Sequence, residues 1–120
     1  MDFEDISKLT PQEQAVVNYH RANLLGGNYW EQPSGEITTF YGTIVDTPEG
    51  GAVLIPGYWG GAQTLSAPDA IQKAIKSGVD WPRFKSPKEA RETEIKLHDI
   101  MERDLNIFRK GRNATRQIRK

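Results

Sequence analysis

The sequence predicts a single α+β domain in which a β-hairpin over about residues 36–55 is packed by three helices, at about 11–25, 67–77 and 87–109. Three observations lead to this prediction. The length of 120 residues fits one domain. A central stretch is dense in β-branched and aromatic residues, which favour strands. Three other stretches begin with helix-capping sequences and continue with apolar residues at helical spacing.

Each predicted helix begins at a capping sequence. Thr10-Pro11-Gln12-Glu13 supplies a hydroxyl at the N-cap, a proline at the first helical position and a glutamate three residues after the cap. Ser66-Ala67-Pro68-Asp69 and Ser86-Pro87-Lys88-Glu89 repeat this pattern. We expect the helices to end at Gly26-Gly27, at Gly78 and near Gly111. The apolar positions expected to be buried are Ala15, Val16, Tyr19, Ala22 and Leu25, then Ala67, Ala70, Ile71, Ala74 and Ile75, and finally Ala90, Leu97, Ile100, Met101, Leu105 and Phe108.

The hairpin is predicted from two strand-like runs and the turn between them. One strand should run from Glu36 to Val45, and the second should cover Ala52-Val53-Leu54-Ile55 and stop at Pro56. Asp46-Thr47-Pro48-Glu49-Gly50-Gly51 supplies the turn. Because two strands alone are marginally stable in water, we expect helices to cover the sheet.

Composition excludes several classes of protein. The absence of cysteine rules out a disulfide framework and thiolate metal sites, and two histidines make a histidine-rich metal site implausible. We expect no secretory signal, because residues 1–9 lack a basic start followed by an apolar stretch, and no run is long enough to span a membrane. No phosphate-loop or dinucleotide fingerprint is present, since Gly26-Gly27 and Gly60-Gly61 fit a helix end and a loop.

Charge is balanced over the whole chain but not along it. Residues 109–120 contain six basic and no acidic residues: Arg109, Lys110, Arg112, Arg116, Arg119 and Lys120. The other 108 residues carry ten basic against sixteen acidic groups, a net charge of minus six. We therefore expect a flexible acidic N-terminus at 1–9, a domain at 10–108 and a basic C-terminal arm. Such an arm binds nucleic acid, meets an acidic neighbour, folds back on its own domain or stays solvated.

Three groups of residues are candidates for a functional site. The aromatic residues Tyr29, Trp30, Tyr58, Trp59, Trp81 and Phe84 lie in predicted loops, where they close the core, anchor a protein interface or stack on a ligand. Glu94, His98 and Glu102 are four residues apart, so they share one helix face that either bridges a metal or is an exposed charged surface, and we favour the surface. Glu36 and Asp46 lie at opposite ends of one predicted strand, so they are candidates for paired carboxylates in name only. We expect no cofactor, and neither histidine shows the arrangement that nucleophilic catalysis needs.

The order of several short motifs resembles a small module of tailed-bacteriophage genomes. The motifs span about residues 33–104, and they are Gly35, Thr38-Thr39, Gly51-Ala52-Val53-Leu54-Ile55-Pro56, Gly60-Gly61, Leu65-Ser66, Asp69-Ala70, Ser77-Gly78, Phe84, Ser86-Pro87, Glu89-Ala90 and Leu97-His98. The module occurs as short proteins of the virion gene cluster and attached to internal virion or cell-wall-degrading proteins. The resemblance implies a phage particle as the setting and implies no catalytic residue.

These observations favour a non-enzymatic structural protein of a tailed-phage virion: a minor capsid or cement, connector, tail or ejected internal protein. The expected partners are other virion proteins, with several copies in an assembly and packaged DNA within reach of the arm. The expected location is the virion, and the host cytoplasm during assembly. The alternatives are a peptidoglycan-binding module for a lytic enzyme, which would use Tyr58 and Trp59, and a small nucleic-acid-binding protein. A hydrolase using Glu36 ranks last.

Overall fold

The fold is α+β, as predicted, and the described residues form three helices and two small antiparallel sheets. The computed structural model describes residues 2–60 and 64–118, of which 113–118 are described as helix backbone only. The elements in chain order are α1 (Pro11–Gly26), β1 (Trp30–Glu31), β2 (Ile37–Thr38), β3 (Gly42–Asp46), β4 (Ala52–Pro56), α2 (Ala67–Ser77), β5 (Arg83–Phe84) and α3 (Pro87–Ile118).

Helix α1 begins at the predicted capping box. The Thr10 hydroxyl accepts a hydrogen bond from the Glu13 backbone N–H at 3.1 Å, and the Glu13 carboxylate accepts one from the Thr10 backbone N–H at 2.9 Å. The helix ends at Gly27, whose φ of 75° is the left-handed conformation that favours glycine. Its buried face differs from the prediction, because Ala22 and Leu25 are exposed. The buried positions are Glu13, Val16, Val17, His20 and Leu24.

The strand predicted over residues 36–45 is wrong as a single element. It is divided into β2, which pairs with β1, and β3, which pairs with β4. The division lies at residues 39–41. The Thr39 side chain is buried against α1, and the Thr39 backbone carbonyl accepts a hydrogen bond from Asn23 Nδ2 at 2.9 Å. A backbone bonded to a helix side chain cannot continue a strand ladder, so tertiary contacts break this β-prone run.

The predicted hairpin turn is confirmed between β3 and β4. The Gly50 backbone N–H donates to the Thr47 carbonyl at 3.0 Å, and Gly50 has a φ of 88°. Strand β5 lies in a segment predicted as a loop, and it adds a third strand by pairing Phe84 with Ala52. The backbones of β5 and of Gly51 approach each other closely, because a Cβ at Gly51 would lie 2.5 Å from the Phe84 carbonyl oxygen.

Helices α2 and α3 cover opposite faces of the three-stranded sheet. Leu54 and Ile55 are adjacent in β4, so their side chains point to opposite faces, yet both are buried. Ile55 lies beside Ala74 on the face that α2 covers. Leu54 lies on the other face, where Gly42 is next to Glu94 of α3. The buried core joins this sheet to α1 and α3 through Val16, Val17, Leu54, Ile55, Ala70, Ala74, Trp81, Leu97, Ile100 and Met101.

Two predictions for the helices need correction. Gly111 does not end the third helix, since α3 continues through it to Ile118 rather than stopping at 109. A glycine inside a helix costs only about 1 kcal/mol relative to alanine, and Phe108 and Arg112 on either side pack on the domain. In α2, Ala67 and Ile75 are exposed rather than buried. Among the described residues, no helix combines the length and apolar character needed to cross a bilayer.

The N-terminal segment that we expected to be flexible makes contacts with the domain. Ile6 and Leu9 pack against the main core, and Phe3 packs against a second cluster built from Leu24, Ile37 and Leu105. Glu4 forms an ion pair with Arg103 of α3 at 2.7 Å.

Candidate functional site

The aromatic residues 58, 59 and 81 close the core. Tyr58 and Trp81 are buried and Trp59 is half-buried. Trp59 and Trp81 meet edge to face with ring centroids 6.2 Å apart, and Tyr19 of α1 lies 5.1 Å from Trp59 and 5.8 Å from Trp81. The indole N–H of Trp59 donates to the Pro56 carbonyl at 2.7 Å. Of the three roles that the sequence left open, core closure is the one that these contacts support.

Three further aromatic residues are half-buried at the ends of the sheets. Tyr29 packs edge to face on Phe108 of α3 at 5.8 Å, and Trp30 belongs to β1, while Phe84 belongs to β5. None of the six aromatic candidates therefore forms a protruding anchor, and the structure does not bring them together into one surface.

The basic arm begins as an integral part of α3. Arg112 donates to both carboxylate oxygens of Glu31 at 3.3 Å, and its guanidinium lies 5.6 Å from the centroid of the Phe108 ring. Arg109 is half-buried and Lys110 is exposed. Arg116 lies in the part of α3 described as backbone only, and Arg119 and Lys120 lie outside the described residues. The first half of the arm is thus attached to β1.

A buried polar network joins α1, α3 and the segment before β3. His20 Nε2 lies 3.1 Å from Asp104 Oδ2, and His20 Nδ1 meets the Thr39 hydroxyl. The same carboxylate accepts two hydrogen bonds from Arg21, at 2.8 Å from Nε and 3.2 Å from Nη2. His20 and Asp104 are fully buried and Thr39 is 4% exposed.

Burial sets the protonation state of this network. Removal from water lowers the pKa of His20 to about 4, even though the Asp104 charge opposes the change. The imidazole is therefore neutral at pH 7. Since the carboxylate can only accept, Nε2–H donates to Asp104, and Nδ1 accepts from the Thr39 hydroxyl.

This network was not predicted from the sequence, although the sequence contains a signal for it. His20 follows Val16 and Val17 at helical spacing, and Asp104 follows Ile100 and Met101 in the same way, so both polar residues lie on apolar faces. Thr39, His20 and Asp104 form a hydrogen-bonded series of a hydroxyl, an imidazole and a carboxylate, and sites of nucleophilic catalysis use the same series. Here Arg21 binds both oxygens of the carboxylate, and the Thr39 hydroxyl is bonded to the buried His20 ring on a side chain that is almost fully buried. We assign the network to holding α1 on α3.

A groove lies between α3 and residues 36–42. It has a volume of about 480 Å³ and is lined by Glu36, Ile37, Thr38, Thr39, Phe40, Tyr41 and Gly42 on one side and by Glu94, Ile95, His98, Asp99, Met101, Glu102 and Leu105 on the other. We call this the acidic groove, because its lining contains four carboxylates and no lysine or arginine. Two large apolar side chains in it face solvent: Tyr41 is 55% exposed and Ile95 is 59% exposed.

Glu94 lies deepest among these carboxylates. Burial raises its pKa, with the charges of Arg91 and His98 opposing the change. Gly42 makes room for it, because a side chain at position 42 would collide with the Glu94 carboxylate. Glu36, Glu94 and Asp99 form no salt bridge within the part of the chain that the structure describes, and Glu102 lies 3.8 Å from His98.

The helical spacing of Glu94, His98 and Glu102 places all three in the acidic groove, as predicted for one helix face. Over the described ranges 2–60 and 64–118, no three histidine, aspartate or glutamate side chains converge closely enough to hold a metal ion. Glu36 also lines the groove, whereas Asp46 lies at the far end of β3 outside it. These two acids therefore do not face each other across a cleft.

Comparison of the chain with protein-family models, with curated proteins and with solved structures found no match.

Proposed function

We propose that this chain is a structural component of a tailed-phage virion and acts through contacts with other proteins. The observation that carries the proposal is the acidic groove, in which Tyr41 and Ile95 are more than half exposed beside Glu36, Glu94 and Asp99, three carboxylates that form no salt bridge among the described residues. Exposed apolar side chains rimmed by charged groups are typical of protein interaction surfaces. The phage setting is taken from the sequence resemblance over residues 33–104.

A second exposed apolar surface supports a role in assembly. A groove of about 330 Å³ between α2 and the sheet is lined by Val45, Val53, Ile55, Ile71 and Ala74 together with Ile75 and Val79. Ile75 is 68% exposed and Val79 is 41% exposed. Because α2 and α3 cover opposite faces of the sheet, this surface and the acidic groove face different directions. A protein with two such surfaces has room for more than one neighbour.

Nucleic-acid binding is a second candidate, favoured by the arm. Arg109, Lys110, Arg112 and Arg116 lie on one continuous helix, and a basic helix suits phosphate contacts. The peptidoglycan alternative has no comparable support, because Tyr58 is buried and the Trp59 N–H is bonded to Pro56.

The experiment is mass spectrometry of purified particles of the encoding phage, with copy number. We expect the chain in every particle at a fixed stoichiometry. Its absence from particles produced by a productive infection would reject the virion role. Salt-dependent binding of DNA by the isolated protein, combined with that absence, would establish the second candidate instead.

Particle incorporation of a truncated chain tests the arm. The deletion should begin at residue 113, since Arg112 and Phe108 still pack on the domain. We expect the truncated chain to fold and to incorporate less well than the intact chain in low salt, with the difference shrinking as salt is raised, because salt screens the charge contacts that the intact arm makes. Equal incorporation of both chains across the salt series would exclude a role for the arm.

A further inference from the structure

We propose that the acidic groove binds the basic C-terminal end of α3 from a second copy of this chain, so that copies associate head to tail. The inference rests on the proposed function and names the partner of its main surface. It follows from the chemistry of the groove, the chemistry of the arm and the geometry of the helix that carries both.

The groove and the arm are complementary in charge. Glu36, Glu94, Asp99 and Glu102 line the groove without any lysine or arginine among them. The last twelve residues of the chain contain six basic residues and no acid. Arg112 already pairs with Glu31 of its own chain, which leaves Arg116, Arg119 and Lys120 as the distal positive charges of the arm. Opposite charges brought together in a concave surface attract more strongly than on an open one.

The two surfaces also match in their apolar content. Ile95 and Tyr41 expose more than half of their surface in the acidic groove. In the arm, Ile118 stands between Arg116 and Arg119 in the sequence, so an apolar residue is flanked by positive charges. A groove with apolar walls and a carboxylate rim suits such a segment better than it suits a phosphate backbone, which its carboxylates would repel.

The arm of the same chain cannot reach this groove. The groove is lined by α3 residues 94–105, and α3 continues without interruption to Ile118. At about 1.5 Å per residue, Arg116 lies roughly 21 Å beyond Glu102 along the same axis, directed away from the groove. A helix cannot fold back on its own side without breaking, so only a second copy can place its arm there.

Association of this kind is heterologous, because the groove of one copy meets the arm of another. Such contacts generate a ring when the rotation between copies closes and an open filament when it does not. Each open oligomer keeps one free groove at one end and one free arm at the other, so self-association continues beyond the dimer.

The experiment uses the full-length protein and two sets of substitutions. The groove variant carries Glu94→Gln, Asp99→Asn and Glu102→Gln, and the arm variant carries Arg116→Gln, Arg119→Gln and Lys120→Gln. A control variant carries Asp46→Asn, Glu49→Gln and Glu92→Gln, which remove the same number of charges outside the groove. Molecular mass is measured by light scattering after size exclusion, in low salt and in high salt.

We expect the native chain and the control variant to self-associate in low salt and to dissociate at least about tenfold more readily in high salt. The groove variant and the arm variant should each be monomeric. Mixed together they should form a one-to-one complex and nothing larger, because the mixture contains one intact groove and one intact arm per pair. Only a head-to-tail contact produces this pattern.

Two results would overturn the inference. One is a native chain that stays monomeric in low salt at roughly 100 μM, where even a weak micromolar interface is occupied. The other is association that survives in either variant, which would assign it to another surface. Neither result bears on particle incorporation. A chain that is monomeric in solution but present in particles would overturn the head-to-tail contact and leave the proposed virion role standing.

Discussion

His20 and Asp104, separated by 84 residues in the sequence, place their side chains 3.1 Å apart in the fully buried interior. The pair joins the middle of α1 to the middle of α3, and Arg21 closes it from the solvent side. A buried charge that is fully hydrogen-bonded adds little net stability, but loss of one partner leaves the others buried without compensation.

Replacement of Asp104 should therefore be among the most damaging single changes. Asp104→Ala leaves the neutral His20 without its acceptor and Arg21 without its counter-ion, so we expect a loss of about 3–5 kcal/mol in the free energy of unfolding. The measurement is urea denaturation followed by circular dichroism. Asp99→Ala, on the exposed side of the same helix, should change the free energy by no more than about 0.5 kcal/mol. Equal effects of the two changes would show that the buried network has no special role.

The buried His20 should make stability depend on pH. Its pKa is about 4 in the folded protein against 6.5 in the unfolded chain, so the unfolded state binds more protons between these values. Stability is complete above about pH 6.5 and falls as the pH drops toward 4, by roughly 3 kcal/mol in all.

The contribution of His20 is isolated by comparison of variants. Carboxylates also titrate near pH 4, at the lower end of the range in which His20 titrates. The quantity to compare is therefore the slope of the unfolding free energy between pH 7 and pH 5. His20→Gln should flatten this slope relative to the native chain. A slope that persists in His20→Gln would mean that another group titrates.

Gly51 should tolerate no side chain. A Cβ there would lie 2.5 Å from the Phe84 backbone carbonyl, which cannot move without separating β5 from β4. We expect Gly51→Ala to lower the free energy of unfolding by about 1–3 kcal/mol. Gly26→Ala is the matched control, since its Cβ would meet only Asn28 Nδ2 at 3.4 Å, and it should be neutral or slightly stabilising. Thermal unfolding of both variants decides the comparison.

Two tyrosines should separate stability from association. Tyr58 is 1% exposed, so Tyr58→Ala should cost about 3–5 kcal/mol, as large core truncations do. Tyr41 is 55% exposed in the acidic groove, so Tyr41→Ala should change stability by less than about 0.5 kcal/mol while weakening self-association. Denaturation and light scattering on the same samples give both quantities. If Tyr41→Ala unfolds the protein, then its ring belongs to the core and is not a contact residue.

Local sequence determined where the helices start and where the hairpin turns. The capping box at Thr10 to Glu13, the cap at Ser66 and the glycines at 27, 50 and 78 act over a few residues, so their effect can be predicted without the rest of the chain. The amphipathic face of α3 was also predictable, because Ala90, Leu97, Ile100, Met101 and Leu105 repeat at helical spacing and all are buried.

Tertiary structure decided how the same residues are used. The β-prone run at 36–45 is divided because Thr39 bonds to α1, and α3 continues past Gly111 because its flanking residues pack on β1. The burial of the aromatic residues at 58 and 81 and the placement of Glu36 and Glu94 in one groove depend on contacts between distant segments. Local signals act within a few residues, whereas burial and charge convergence are properties of the packed chain, so they become visible only when α1, α3 and the sheet are assembled.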